Sequence, residues 1–99
     1  MCKVYVKTTK RGGELLVAVC DAEILGKTLE GGHVPFKVNE YFYKGIMTDM
    51  EEAINAMKKA TICNIVGKNI VRFAVKNRLV HKSALIYLGD VPHAQIIHM

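Results

Sequence analysis

Features that define several large protein classes are missing from this chain of 99 residues. No apolar run approaches the roughly 18 residues that a membrane-spanning helix needs, and residues 1–5 lack the apolar stretch of a signal peptide. The three cysteines are odd in number and far apart, which argues against a disulfide framework. We therefore expect a cytoplasmic protein with no membrane partner, in which Cys20 and Cys63 pack in the core.

Signatures of catalysis and metal binding are missing as well. The four histidines and three cysteines show none of the C-x-x-C, H-x-x-x-H or H-E-x-x-H spacings that place two metal ligands on one element. The glycine pairs at 12–13 and 31–32 match neither the P-loop nor the dinucleotide-binding fingerprint. Glu51 and Glu52 are adjacent and suit the start of a helix. We predict no metal, no cofactor and no catalytic residue.

Acidic residues are absent from one long stretch, residues 53–89, although the chain has 9 of them in all. The net charge is +5, and this stretch is strongly positive while the rest of the chain is slightly negative. Such an asymmetry indicates a polyanionic partner, whereas a solvated basic surface is the alternative interpretation. The cations of this stretch, which we predict to bind nucleic acid, are Lys58, Lys59, Lys68, Arg72, Lys76, Arg78 and Lys82.

The hydrophobic patterns predict a single small α+β domain over residues 1–99. Alternation over 3–8, a glycine turn and an apolar run over 14–20 indicate a β-hairpin whose second strand is central in its sheet. Asp21 is expected to cap a short helical turn that ends at Gly26. Further strands are predicted at 34–38, 84–88 and 93–98, the last one following Pro92.

Two central helices are expected between these strands. Residues 48–51, Thr-Asp-Met-Glu, form a capping box, and apolar residues recur behind it at helical spacing. Residues 61–78 predict a second, amphipathic helix with its cations opposite its apolar side. Gly67 costs such a helix about 1 kcal/mol relative to alanine, so a kink, a close crossing or a break is expected there. The cations at i, i+4 and i+8 are Lys68, Arg72 and Lys76.

Three tyrosines are candidates for contact with RNA bases. Tyr5, Tyr41 and Tyr43 lie in or beside the predicted strands, and an exposed tyrosine ring can stack on unpaired bases. Burial of each ring over the core, with its hydroxyl group in water, is the alternative.

Three segments resemble an archaeal family of uncharacterised small proteins, domain of unknown function 424. They are Gly-Asp-Val-Pro-His-Ala-Gln at 89–95, Gly-Glu-Leu-Leu-Val-Ala-Val-Cys-Asp at 13–21 and Ala-Thr-Ile-Cys-Asn-Ile-Val-Gly at 60–67. The resemblance covers nearly the whole chain and implies an archaeal source, and some members of the family are described as RNA-binding. It also implies functional roles for two groups of residues: Asn64 with Gly67, and Pro92, His93 and Gln95.

The imidazole and amide groups of these motif residues have two interpretations. They can bind a base edge or a phosphate, or they can hold the last strand to the core as satisfied structural groups. Sequence alone leaves both open.

Charge and resemblance together favour a non-enzymatic RNA-binding or ribosome-associated accessory protein that docks through the basic helix. A protein–protein adaptor or homo-oligomeric subunit is the alternative, because a chain with 51% apolar residues is rich in apolar surface for its length. A small enzyme using His93 is the third hypothesis, and it requires a pocket around the imidazole.

Overall fold

A computed structural model describes residues 2–31 and 34–98 of the chain. Its strands are β1 (Lys3–Arg11), β2 (Glu14–Asp21), β3 (Thr28–Leu29), β4 (Phe36–Lys37), β5 (Ile46–Asp49), β6 (Ile62–Val66), β7 (Ile86–Leu88) and β8 (Val91–Ile97). Its α-helices are α1 (Glu40–Tyr43), α2 (Met50–Lys59) and α3 (Lys68–Lys76). Single turns of 3-10 helix lie at Ala22–Ile24 and Lys82–Ala84.

Six of the strands form one mixed sheet in the order β5-β1-β2-β6-β8-β7. The β2–β6 pair is parallel, and the other neighbours in the sheet are antiparallel. The short strands β3 and β4 pair separately. The helices alternate irregularly with the strands along the chain, and the sheet is mixed, which confirms the predicted α+β class.

The N-terminal hairpin that the alternation predicted is confirmed, since β1 and β2 pair in antiparallel fashion. Gly12 and Gly13 have φ angles of 50° and 85°, which the two-residue turn requires and which glycine adopts without a steric penalty. Strand β2 lies between β1 and β6, and its residues from Val17 to Cys20 are buried on both faces of the sheet. A strand apolar on both faces is therefore central, as predicted.

The two faces of the sheet carry separate apolar clusters. On one face, α2 and α3 cover the sheet, with Met57 and Ile70 packed against Val19 and Ile65. On the other face, residues within 22–31 and 34–43 cover part of the sheet. The apolar stripe of α2 is buried as predicted, and its members are Met50, Ala53, Ile54 and Met57.

Two predicted helix starts are wrong. Residues 61–78 do not form one helix, because Ile62–Val66 is strand β6 and α3 begins only after Gly67. Helix α2 is capped by Asp49, whose carboxylate accepts from the Glu52 amide at 2.9 Å, and Thr48 belongs to β5. The predicted strand at 34–38 shortens to Phe36–Lys37, since proline at 35 cannot donate to a ladder.

Asp21 caps a different helix from the one predicted. The turn at Ala22–Ile24 has no side-chain cap, because the buried carboxylate of Asp21 accepts from the amides of Asn69 and Ile70 at 2.8 and 2.9 Å. Burial raises the pKa of this carboxyl group, against the opposing effect of the two amide hydrogen bonds. The N-terminus of α3 is thus already occupied by a carboxylate and does not offer its amides to an external anion.

Candidate nucleic-acid interface

Helix α3 has one buried and one cationic side. Ile70, Val71 and Ala74 are buried against the sheet, whereas the side chains at 68, 72 and 76 are exposed on the opposite side. Residues four apart rise about 6 Å along a helix axis, so the cations form a row about 12 Å long. We call this row, Lys68, Arg72 and Lys76, the α3 ridge.

The α3 ridge forms one wall of a groove of about 480 Å³. The other wall comes from the segment 82–92, which supplies Lys82, Leu85, Tyr87, Asp90 and Pro92. Val71 and Val75 also line this space, which we call the α3 groove. Four cations therefore surround one partly apolar groove.

A single carboxylate, Asp90, lies among these cations. Its Oδ2 atom is 3.0 Å from the Lys68 Nζ atom, and both side chains are exposed. The hydrogen bond from Lys68 and its positive charge hold the pKa of Asp90 below its usual value. Within the described part of the chain, the other three cations of the groove form no ion pair. The groove is therefore strongly positive despite Asp90.

The remaining predicted cations do not line the groove. Arg78 shares a neighbouring cleft with Lys82, and Lys58 shares another cleft, between α2 and α3, with Lys76. Lys59 is exposed at the end of α2. The structure thus brings four of the seven cations together in the groove and leaves three outside it.

The three candidate tyrosines do not reach the α3 groove. Tyr43 is buried, donates to the side-chain oxygen of Asn64, and has its pKa raised by burial. Tyr5 is half-buried against the opposite face of the sheet. Tyr41 is 87% exposed on that same face, where the Lys7 ammonium lies 4.9 Å from its ring centroid.

Sequence reasoning missed the aromatic residue that does line the groove, Tyr87. Its side chain is 59% exposed and lies opposite Pro92 in the β7–β8 pair. The run 84–88 is almost wholly apolar, so alternation could not show which of its side chains faces α3. The only available signal was the ring itself, in a strand next to a basic helix.

The motif residues meet in the middle of the sheet. Asn64 and Gln95 face each other across β6 and β8, and the Gly67 amide donates to the Pro92 carbonyl at 3.0 Å. The His93 Nδ1 atom lies 2.9 Å from the Ile65 carbonyl oxygen, to which it can only donate, and its ring is 5.4 Å from that of Phe36. The contacts of Asn64, Gly67 and His93 are internal, which favours the structural interpretation for these three residues. The Gln95 side chain is exposed, and Pro92 lines the α3 groove.

Two of the three thiols are packed in the core, as expected from their apolar surroundings. Cys20 and Cys63 have no exposed surface, and burial raises their pKa values to about 12 and about 11. Cys2 is exposed. Because the thiolate is the reactive form, a burial-raised pKa suppresses thiol reactivity beyond simple shielding.

We expect an aromatic disulfide reagent at about pH 8 to label one thiol per native chain and all three after unfolding. The Cys2→Ser variant should show no fast labelling in the native state, and its unfolding should expose two reactive thiols. Rapid native labelling of a second thiol would contradict the burial described above.

The described residues, 2–31 and 34–98, contain neither a cluster suited to a metal ion nor a helix suited to a membrane. No group of three or more His, Cys, Asp or Glu side chains among them is arranged to hold a metal ion. None of the helices they form is long and apolar enough to cross a membrane.

The fold places the chain in the class of small α+β proteins with a mixed sheet that two helices cover on one face. The chain belongs to the family described as protein of unknown function (DUF424), whose model matches residues 8–99, as the resemblance predicted. The crystal structure of an uncharacterized conserved protein from the archaeon Methanopyrus kandleri is similar, with a TM-score of 0.82 and 23% identity. The match covers 98% of this chain and 94% of that one, and at this identity it shows the fold alone. No curated protein matches the chain.

Proposed function

We propose that the protein binds RNA through the α3 groove and acts, without catalysis, as an accessory of a cytoplasmic ribonucleoprotein such as the ribosome. The observation that carries the proposal is the convergence of Lys68, Arg72, Lys76 and Lys82 on one groove. Cations scattered over a surface confer solubility, but cations aligned about 6 Å apart can contact successive phosphates.

Electrostatics sets the expected strength of this contact. Each phosphate neutralised on a single strand contributes about 0.7 to the slope of log affinity against log salt, so four contacts predict a slope near −3. Asp90 competes with phosphate for Lys68, because Asp90 and Lys68 form an ion pair in the free protein. Bound RNA must therefore displace this carboxylate.

Neutralising Asp90 is expected to strengthen RNA binding. The Asp90→Asn variant removes the competitor for Lys68, and we expect a gain in affinity of about two- to fivefold, as is usual for an exposed ion pair. The measurement is fluorescence anisotropy of a labelled RNA oligonucleotide titrated with protein at several salt concentrations.

The matched control is Glu14→Gln, which removes the same charge from the exposed start of β2, outside the α3 groove. An equal gain in both variants would mean that net charge alone governs binding. A wild-type affinity that does not fall with salt would refute the proposal. Association with ribosomes is tested separately, by sedimentation of native extract before and after nuclease treatment.

A second candidate function, protein–protein contact, rests on the sheet face opposite α3. Leu16, Ile62 and Ile97 occupy neighbouring strands at one level of the sheet, and Ile97 is 61% exposed. Apolar rows of this kind are typical of interaction surfaces. A stable homodimer in light scattering of nuclease-treated protein, abolished by Ile97→Lys, would support this adaptor or oligomer hypothesis.

A further inference from the structure

The α3 groove has features that contact with phosphates alone does not require. Its cations surround apolar side chains, Val75 and Leu85 among them, which we call the apolar floor of the groove. Tyr87 presents a largely exposed ring to the same space. A protein that binds only a charged backbone gains nothing from an apolar floor, because phosphates remain hydrated. The floor and the ring suit planar, weakly polar groups such as nucleobases.

We propose that the α3 groove takes an unpaired stretch of single-stranded RNA, with one base stacked on Tyr87 and the flanking phosphates on the α3 ridge. This inference rests on the proposed RNA-binding function and specifies its substrate class. The volume of about 480 Å³ falls in the range of pockets that hold small organic ligands, which suits one base with its sugar.

Duplex RNA would not use this groove. In a duplex the base faces are stacked inside, so neither Tyr87 nor the apolar floor could reach them. The major groove of A-form RNA is also too deep and narrow to admit a helix such as α3. Duplex RNA could touch only the cations, and should bind more weakly than a single strand of the same length.

The position of Tyr87 explains how its ring is held. It lies at the centre of the three-residue strand β7, which pairs with β8 on one side and is the last strand of the sheet. Opposite residues of an antiparallel pair share a face, so the ring projects beside the buried Pro92 toward α3. A ring mounted on a strand loses little conformational freedom when a base stacks on it.

The decisive test removes the ring or the bases while keeping the charges. Binding of wild-type protein to a single strand of about 12 nucleotides is compared with that of Tyr87→Leu and Tyr87→Phe. We expect Tyr87→Leu to lose affinity by about 5- to 100-fold with an unchanged salt slope, and Tyr87→Phe to retain wild-type affinity. Tyr41→Leu, which removes an even more exposed ring from the opposite face, should have no effect.

An abasic oligonucleotide gives a second measurement that does not depend on a protein variant. It carries the same phosphates without bases, so it should bind wild-type protein as weakly as the normal oligonucleotide binds Tyr87→Leu. A duplex of the same length is the third ligand, and we expect it to bind at least about tenfold more weakly than the single strand.

The possible results separate this inference from the function on which it rests. Equal binding of duplex, abasic and normal RNA, with Tyr87→Leu unaffected, would overturn the single-strand inference while leaving RNA binding intact. Absence of salt-dependent binding to any RNA would overturn both. Displacement of RNA by an acidic peptide at lower concentration than by unlabelled RNA would assign the groove to a protein partner and overturn both as well.

Discussion

Replacing Lys68, Arg72 and Lys76 together by glutamine is expected to weaken RNA binding by about 100-fold at about 0.1 M salt. Each lost phosphate contact removes about 0.7 from the salt slope, so the slope should flatten by about 2. The fold should survive, because the three side chains are exposed on α3 and glutamine is a good helix former. Anisotropy titrations over a range of salt concentrations measure both quantities.

The control for this prediction must remove the same charge elsewhere. Lys27, Lys37 and Lys44 are exposed and lie outside the α3 groove, so their triple glutamine variant has the same net charge as the ridge variant. We expect it to bind RNA within about threefold of the wild-type protein. Equal losses in the two variants would show that the α3 ridge is only a solvated basic surface.

The parts of the fold that sequence predicts well are those fixed by local patterns. The hairpin of β1 and β2 follows from alternation and a glycine turn, and α2 follows from its apolar stripe. The prediction of a helix over residues 62–66 was wrong because a strand that is largely apolar on both faces shows no alternation. In addition, Ile62, Val66 and Ile70 recur at helical spacing. Enrichment in β-branched residues was the signal for a strand.

The candidate site was predictable only in its charges. The spacing of the α3 ridge along a helix is local information, and the structure retains it on α3 although the helix is shorter than predicted. The other wall of the groove is not local, because Lys82 and Tyr87 reach α3 only through the pairing of β7 and β8 at the end of the sheet. No pattern within a single segment encodes that approach.

Asp21 is a stabilising residue whose partners, too, could not be predicted from local sequence patterns. Its partners, the amides of Asn69 and Ile70, are 48 and 49 residues away, and the parallel pairing of β2 with β6 brings them to it. Local reasoning therefore assigned Asp21 to the nearest helical turn. The capping role of Asp21 could be predicted from the sequence, but the helix that it caps, α3, could not.

Gly67→Ala is expected to destabilise the protein by about 3 to 5 kcal/mol. Gly67 has a φ angle of 129°, which side-chain-bearing residues rarely adopt, and a Cβ atom there would lie 2.4 Å from Asp21 Cγ. Backbone strain and steric overlap therefore add. Urea unfolding followed by circular dichroism measures the free energy of unfolding, and the variant should unfold at a lower urea concentration with an unchanged slope.

A double-mutant cycle with Asp21→Ala isolates the part of this cost that comes from overlap with the Asp21 carboxylate. Asp21→Ala alone should cost about 1 to 3 kcal/mol, because two amides at the start of α3 lose their acceptor. In that background Gly67→Ala should cost about 1 to 2 kcal/mol less than in the wild-type protein, because the carboxylate overlaps at 2.4 and 2.6 Å are gone, while the Cβ atom of residue 21 still lies 2.9 Å from the added Cβ atom. Strictly additive losses would mean that overlap with the Asp21 carboxylate is not what requires glycine at this position.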